Sequence, residues 1–214
     1  MSYSKKYEYK IVPRESFQIR HNCAKCGKKT LFVNTHCFRV NANGNKLDVW
    51  LIYQCENCKH TKNLTIYERM SPSKISKQDY ERFLSNDIAF AETYGKNKEF
   101  FQKNKAEIDW GKVSYDYYNT VDECMAEMPE TLYEEDILSV EDPYHLNLRA
   151  EQILADILKC SKSKAKKMLI SGAVQAVKNV SFRGAFGGIE FYFRKRLSLQ
   201  SDKFADCSNE KEKE

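Results

Sequence analysis

The sequence predicts an α+β fold in two parts. Three features point to it: β-rich runs separated by turn residues in the first seventy residues, two cysteine pairs framing those runs, and a lysine-rich helical pattern near the C-terminus. The chain has 214 residues with thirteen Tyr and twelve Phe, enough to build a core. No stretch reaches the ~18 apolar residues needed to span a bilayer. The N-terminus, "MSYSKKYEYK", lacks the apolar segment of a secretory signal, so a cytoplasmic protein that does not engage membranes is expected.

The elements follow in order. Residues 3–12 alternate as a strand. Residues 36–54, "HCFRVNANGNKLDVWLIYQ", read as a hairpin turning at Asn43-Gly44, and 63–70 as a third strand. Ser/Pro punctuation at 71–73 opens a helix carrying Ile75, Tyr80, Phe83 and Leu84. Residues 88–108 continue as one or two helices broken near Gly95, and "VSYDYYNTV" as a short strand. The stretch 122–142 is partly an acidic linker. "NLRAEQILADILKC" and "SKSKAKKMLISGAV" form two helices, the second capped by Ser161 and stopped by Gly172. Residues 174–197 form strands around a Gly-rich turn. The expected domains are therefore 1–70, 71–142, 143–199 and a disordered tail, 200–214.

Charge is unevenly spread. Residues 107–142 carry −11, residues 146–199 carry +8 and residues 1–106 carry +10, within a net +5. Such a division suits separate parts with separate partners.

Cys23 and Cys26 form one C-x2-C pair; Cys55 and Cys58 form another, after twenty-eight intervening residues. Each pair sets two thiolates on one side of a tight turn, and two such turns complete a tetrahedral zinc site. The hairpin accounts for the long gap by running out and back, which is zinc-ribbon logic. Four thiolates leave no open position, so Zn2+ here is structural. Gly27 suits the first turn, whereas Lys59 holds the same place in the second. Neither pair opens a helix near a βαβ pattern, which argues against a thiol–disulfide exchange site. His21, His36, Cys37 and His60 lie close enough in sequence to compete as ligands. Cys124, Cys160 and Cys207 read as ordinary buried or tail thiols.

"RHNCAKC" together with "FRVNANGNKLDVWLIYQCENCKHTKNLTIYER" resembles the bacterial family known as domain of unknown function 1062. Phe38 to Arg69 carries the most specific part. The resemblance implies a cytosolic bacterial protein with no assigned activity. The C-terminal helices resemble the alpha-L RNA-binding motif of a ribosomal small-subunit protein and of pseudouridine synthases. Arg149 and Leu154 match its first piece, with Glu151 near the acidic position; Ser161, Lys162 in place of Arg, Ala165 and Gly172-Ala173-Val174 match the rest. The sequence departs from the motif at "VQAVKNV", and the later Gly-Asp turn is absent. This resemblance implies a structured RNA partner, ribosomal or transfer RNA.

Ile153, Leu154, Ile157 and Leu158 make one apolar helix face, and Ala165, Met168 and Leu169 another. Lys162, Lys164, Lys166 and Lys167 occupy the rest of the second helix. With Lys178, Arg183 and Arg194-Lys195-Arg196 they form a surface suited to phosphates, with Arg149, Lys162, Lys166 and Lys167 as the candidate contacts. Phe182, Phe186, Phe191, Tyr192 and Phe193 alternate, which places most of them in the core.

The expected function is a non-catalytic zinc protein with an RNA-binding C-terminal domain. The alternatives are a protein–protein adaptor that uses the acidic segment as its contact, and an enzyme of unknown reaction. No G-x-S-x-G, H-E-x-x-H, P-loop or dinucleotide fingerprint is present. Asp48, His36, Asn41 and Asn43 lie near one another on the hairpin but fit turn and edge roles. Asp109, Asp116 and the 122–136 carboxylates lack regular cation-ligand spacing.

Overall fold

Strand-forming residues dominate the computed structural model, which describes residues 5–120, 131–146, 148–180, 187–194 and 197–198. The result is a mixed α+β protein, mostly strands with few helices. The chain divides into two compact units, one of residues 11–116 and 144–146, the other of residues 1–10, 117–143 and 147–214.

In the first unit, β2 (Ile19–Cys23), β3 (Lys28–Asn43), β4 (Lys46–Cys55), β5 (Thr61–Met70) and the two-residue β6 (Glu107–Ile108) form one antiparallel sheet in the order β5-β4-β3-β2-β6. The expected hairpin is β3–β4, with Asn43 opposite Lys46 and Gly44 at φ 58° in the turn. Strand β3 runs longer than its sequence pattern shows, beginning directly after Gly27. A bulge between Asn34 and Phe38 breaks its pairing with β4. Alternation along β4 buries Leu47, Val49, Leu51, Tyr53 and Cys55.

Three short helices follow: α1 (Lys77–Leu84), α2 (Ile88–Gly95) and α3 (Lys98–Lys103). Their N-caps, Ser76, Asp87 and Asn97, each accept a hydrogen bond from a first-turn amide. Helix α2 ends at Gly95, where a break is expected. Side-chain amides then tie helix ends to strands. Asn86 Oδ1 accepts from Phe38 N at 2.6 Å. Asn104 accepts from Thr65 N at 2.6 Å and donates to Thr65 O at 3.0 Å, imitating a strand partner. The core is aromatic: Phe83 meets Phe38 and Phe90 at 5.0 Å between ring centroids, and Phe101 meets Phe17 and Tyr53 at 5.9 Å.

The other sheet runs in the order β10-β11-β9-β1-β7, from β1 (Lys6–Pro13), β7 (Tyr115–Asn119), β9 (Ile137–Asp142), β10 (Val174–Val180) and β11 (Gly187–Phe193). Strands β1 and β9 pair in parallel, Lys6 opposite Ile137; β11 pairs antiparallel with both its neighbours. Short β8 (Thr131–Leu132) pairs with β12 (Leu197–Ser198). The acidic stretch 122–142 thus supplies β8 and β9 as well as any linker. Leu138 and Val140 are buried, and acidic Glu141 and Asp142 close the strand. Helices α4 (Ala150–Ile157) and α5 (Lys162–Ile170) pack together, and α5 packs on β10. The expected apolar face of α4 is buried, with Ile153, Leu154, Ile157 and Leu158 at most 6 % exposed. Ser161 caps α5 by accepting from Lys164 N at 3.2 Å, and Gly172 follows at φ 72°. Of the expected Gly-rich turn, Gly187 and Gly188 open β11 and Gly184 lies outside the described residues, as does the tail at 199–214. No described helix is long and apolar enough to cross a membrane.

Candidate functional site

The cysteine pairs sit at one end of the antiparallel sheet. Cys23 ends β2 and Cys55 ends β4, on either side of β3, whose Phe32 pairs with Cys55. The turns after them are near copies. Gly27 N donates to Cys23 O at 2.9 Å with Gly27 at φ 66°; Lys59 N donates to Cys55 O at 3.0 Å with Lys59 at φ 64°. Lysine adopts here the left-handed backbone that glycine takes in the first turn. Two contacts hold it: Lys59 Nζ donates to Glu56 O at 3.2 Å, and Gln54 Nε2 donates to Lys59 O at 3.1 Å. The sequence left this second turn unsettled; its geometry matches the first.

The four sulfur atoms lie within 4.8 Å of one another, with Cys23–Cys58 at 3.4 Å and Cys26–Cys55 at 3.9 Å. Bonds of about 2.3 Å in a tetrahedron place sulfurs ~3.8 Å apart, so the cluster has the size of a Zn–S4 centre. Cys23 and Cys55 are buried, Cys26 and Cys58 half-buried. Thr30 Oγ1 lies 3.2 Å from Cys55 Sγ, and its hydrogen bond brings that thiol down to about 6. Hydrogen bonding with Cys58 pushes Cys26 up to about 12. Four thiols this close share protons rather than all ionising; a cation among them removes that conflict. Among the described residues no other group of three or more His, Cys, Asp or Glu is gathered this way. Cys37 is exposed at the β3 bulge, and His60 offers its backbone carbonyl to Cys55 N at 2.8 Å.

The second candidate lies on α4 and α5. A cleft of about 410 Å³ is lined by Arg149, Glu151, Gln152, Lys162, Ser163 and Lys166. Arg149 is the N-cap of α4, and Lys162 and Lys166 stand one turn apart on α5, so the packing of α4 against α5 brings three cations to one place. Lys167 is exposed on the same helix but does not line the cleft. Lys178 is exposed on β10. Arg194 Nη2 donates to Gln175 Oε1 at 2.9 Å. Phe191 and Phe193 are buried in the core, as alternation implies, and Tyr192 donates to Glu190 Oε2 at 2.7 Å. Arg183, Lys195, Arg196, Phe182, Phe186, Cys124 and Cys207 lie outside the described residues.

The polar residues of the hairpin do not gather into one site. Asp48 Oδ1 accepts from Arg69 N at 2.7 Å, across a bulge. His36, at φ 59° in the β3 bulge, instead meets a carboxylate from α2: its Nε2 lies 2.6 Å from Glu92 Oε1. Glu92 also accepts from Ser16 Oγ at 3.0 Å and pairs with Lys96 Nζ at 2.9 Å. Burial opposes ionisation of Glu92, but hydrogen bonds from Lys96, His36 and Ser16 outweigh it and hold the carboxyl below its usual range. A Cβ on Gly95 would collide with Ser16 and Asn34, so this network needs glycine there. Lys96 is an i,i+4 neighbour of Glu92 on the helix, but Ser16 and His36 lie 76 and 56 residues from it, and no local pattern announces them. Asp109 and Asp116, weighed as cation ligands, face arginines instead: Arg20 at 2.9 Å and Arg14 at 2.6 Å.

Residues 40–180 match the family described as protein of unknown function, DUF1062. The chain belongs to that family. The DUF1062 match runs from the end of β3 through the hairpin turn, β4, the helices and α4 to β10, and takes in Cys55 and Cys58; Cys23 and Cys26 precede it, so their place in the tetrad rests on geometry. No curated protein and no solved structure matches this DUF1062 chain.

Proposed function

We propose that this DUF1062 protein is a non-catalytic RNA-binding protein built around a structural zinc ion, acting in the cytoplasm. Cys23, Cys26, Cys55 and Cys58 hold the zinc in a ribbon-like arrangement, two knuckles joined by the β3–β4 hairpin. All four ligands are supplied by the chain, so the zinc stabilises the fold and presents no open position to a substrate. The alpha-L-like unit supplies the RNA surface, with Arg149, Lys162, Lys166 and Lys167 contacting phosphates.

The observation that carries the reading is the cleft that gathers Arg149, Lys162 and Lys166. Three cations in one concavity suit a phosphate backbone and its shape better than base edges. The test is binding of the full chain to total bacterial RNA at two salt concentrations, beside the triple variant Lys162→Glu, Lys166→Glu, Lys167→Glu. Binding that weakens steeply with salt and is lost in the variant supports the reading. Each phosphate contact removed should flatten the log–log salt dependence by about 0.7–0.9. Absence of binding at low salt overturns the RNA assignment and returns the adaptor to first place.

A further inference from the structure

The cleft on α4 and α5 contains one residue that a plain phosphate seat does not need. Beside Arg149, Lys162 and Lys166 stands Glu151, whose side chain is 28 % exposed. A carboxylate beside a phosphate is repulsive and weakens the attraction of the three cations. Arg149 Nη1 lies 3.9 Å from Glu151 Oε1, beyond the ~2.7–2.9 Å of a direct charge-assisted hydrogen bond. Glu151 also sits in the first turn of α4, where an acid favours the helix dipole. That role needs no ligand and is served equally well by an acid facing away from the cleft. The lining therefore has two chemistries: a cationic wall from Arg149, Lys162 and Lys166, and an acceptor from Glu151 next to the amide of Gln152. A ligand that satisfies both carries an anion and a hydroxyl donor close together. Ribonucleotides carry that pair, and the 2′-hydroxyl is what separates RNA from DNA at a given site.

We infer that Glu151 accepts a hydrogen bond from a ribose 2′-hydroxyl while the neighbouring cations hold the adjoining phosphate, so that the cleft selects RNA over a chain lacking that donor. The inference rests on the RNA-binding reading and sharpens it. Glu151 lowers general phosphate affinity and in exchange makes binding conditional on ribose.

The experiment is a fluorescence anisotropy titration of the full, zinc-loaded chain against a short RNA hairpin and its 2′-fluoro counterpart. Both are A-form, so helix shape is held constant while the donor is removed. Wild type is expected to prefer the hydroxyl hairpin by about tenfold, the scale of one hydrogen bond to a charged acceptor. In Glu151→Ala the preference should fall to about twofold or less, because the 2′-fluoro hairpin gains from the lost repulsion while the RNA loses its acceptor. Glu151→Gln, which keeps an acceptor oxygen, should retain an intermediate preference. The ratio of affinities is the readout, so a loss of folded protein affects both hairpins alike and does not mimic the result. Equal binding of the two hairpins by wild type overturns the inference and leaves RNA binding standing. So does an Ala variant that tightens both equally with the preference intact. Binding of neither hairpin at low salt defeats the RNA reading itself, and this inference with it.

Discussion

The two five-stranded sheets of this chain are assembled from contacts of very different reach. In the sheet that carries the cysteines, β2, β3, β4 and β5 each pair with their neighbours in sequence, and only β6 returns from a distance. In the other, Lys6 pairs in parallel with Ile137, and the sheet collects strands from both ends of the chain. The first sheet has a second fastening, the thiol tetrad at one end. The second depends on its apolar layer, among it Tyr9, Leu138, Val140, Ile189, Phe191 and Phe193. Local pairing with a cluster of four cysteines and distant pairing with a hydrophobic core answer the same entropy cost in two ways.

The largest expected effect tests the clip. Removing zinc with a chelator should withdraw folding free energy on the order of 10 kcal/mol, as in small zinc domains. Native-state hydrogen exchange should then show protection lost in β2–β5 while β9–β11 keep theirs. Cys23→Ser and Cys55→Ser should unfold or aggregate the same unit; a melt matching wild type at equal zinc content would falsify the structural-zinc claim.

Phe191→Ala tests the opposite side of the comparison. It should destabilise the mixed sheet by about 3–5 kcal/mol, the usual cost of truncating a buried aromatic. Zinc content should stay unchanged. Loss of zinc in that variant would show that the two regions do not fail separately.

A smaller effect is expected at the carboxylate of α2. Glu92→Gln should cost about 1.5–3 kcal/mol at pH 7, because the acceptor in these hydrogen bonds is a charged carboxylate. The folded-state pKa of Glu92 lies below the unfolded one, so its contribution is present above about pH 4.3 and is lost as pH falls through the folded value. Denaturation of wild type and variant should therefore converge in acid, and a constant difference down to pH 2 would count against the network.

The smallest effect compares the two turns of the tetrad. Lys59→Gly should stabilise the protein by up to about 1 kcal/mol, since lysine pays for a left-handed backbone that glycine adopts freely. The gain is reduced by the lost Lys59 Nζ contact to Glu56 O. Destabilisation would mean that this contact outweighs the strain.

Local chemistry was legible in the sequence. Asn43-Gly44 marks its hairpin because few other pairs take that turn, and Ser161 and Gly172 bracket α5 because a helix needs a cap and a stop. The tetrad was legible for the same reason, since C-x2-C spacing is itself a local geometry and the hairpin supplies the return. What the sequence hid is long-range. Nothing in "KYEYKIVP" tells that it will lie parallel to "ILSVED", because strand partners are chosen by burial across the sheet rather than by neighbours in the chain. The His36–Glu92–Ser16 network was hidden likewise, its members converging only once a bulge turns His36 toward α2. Arg149, Lys162 and Lys166 were legible singly as cations; the concavity that unites them, and Glu151 within it, needed two helices placed side by side.

The position of β1 has a consequence for synthesis. Its strand is made before the other described strands, yet it lies between β7 and β9, and β9 is not complete until Asp142. At ribosomal speeds of about 5–20 residues per second, the first strand waits roughly seven to twenty-five seconds for its parallel partner. Until β7 is made, Tyr9, which ends up 2 % exposed, has no neighbouring strand of its sheet. The cysteine-bearing unit has meanwhile emerged through residue 116, and both halves of its tetrad are available as soon as Cys58 leaves the exit tunnel. The cysteine-bearing unit can thus close early, while β1, made before it, completes its pairing only later.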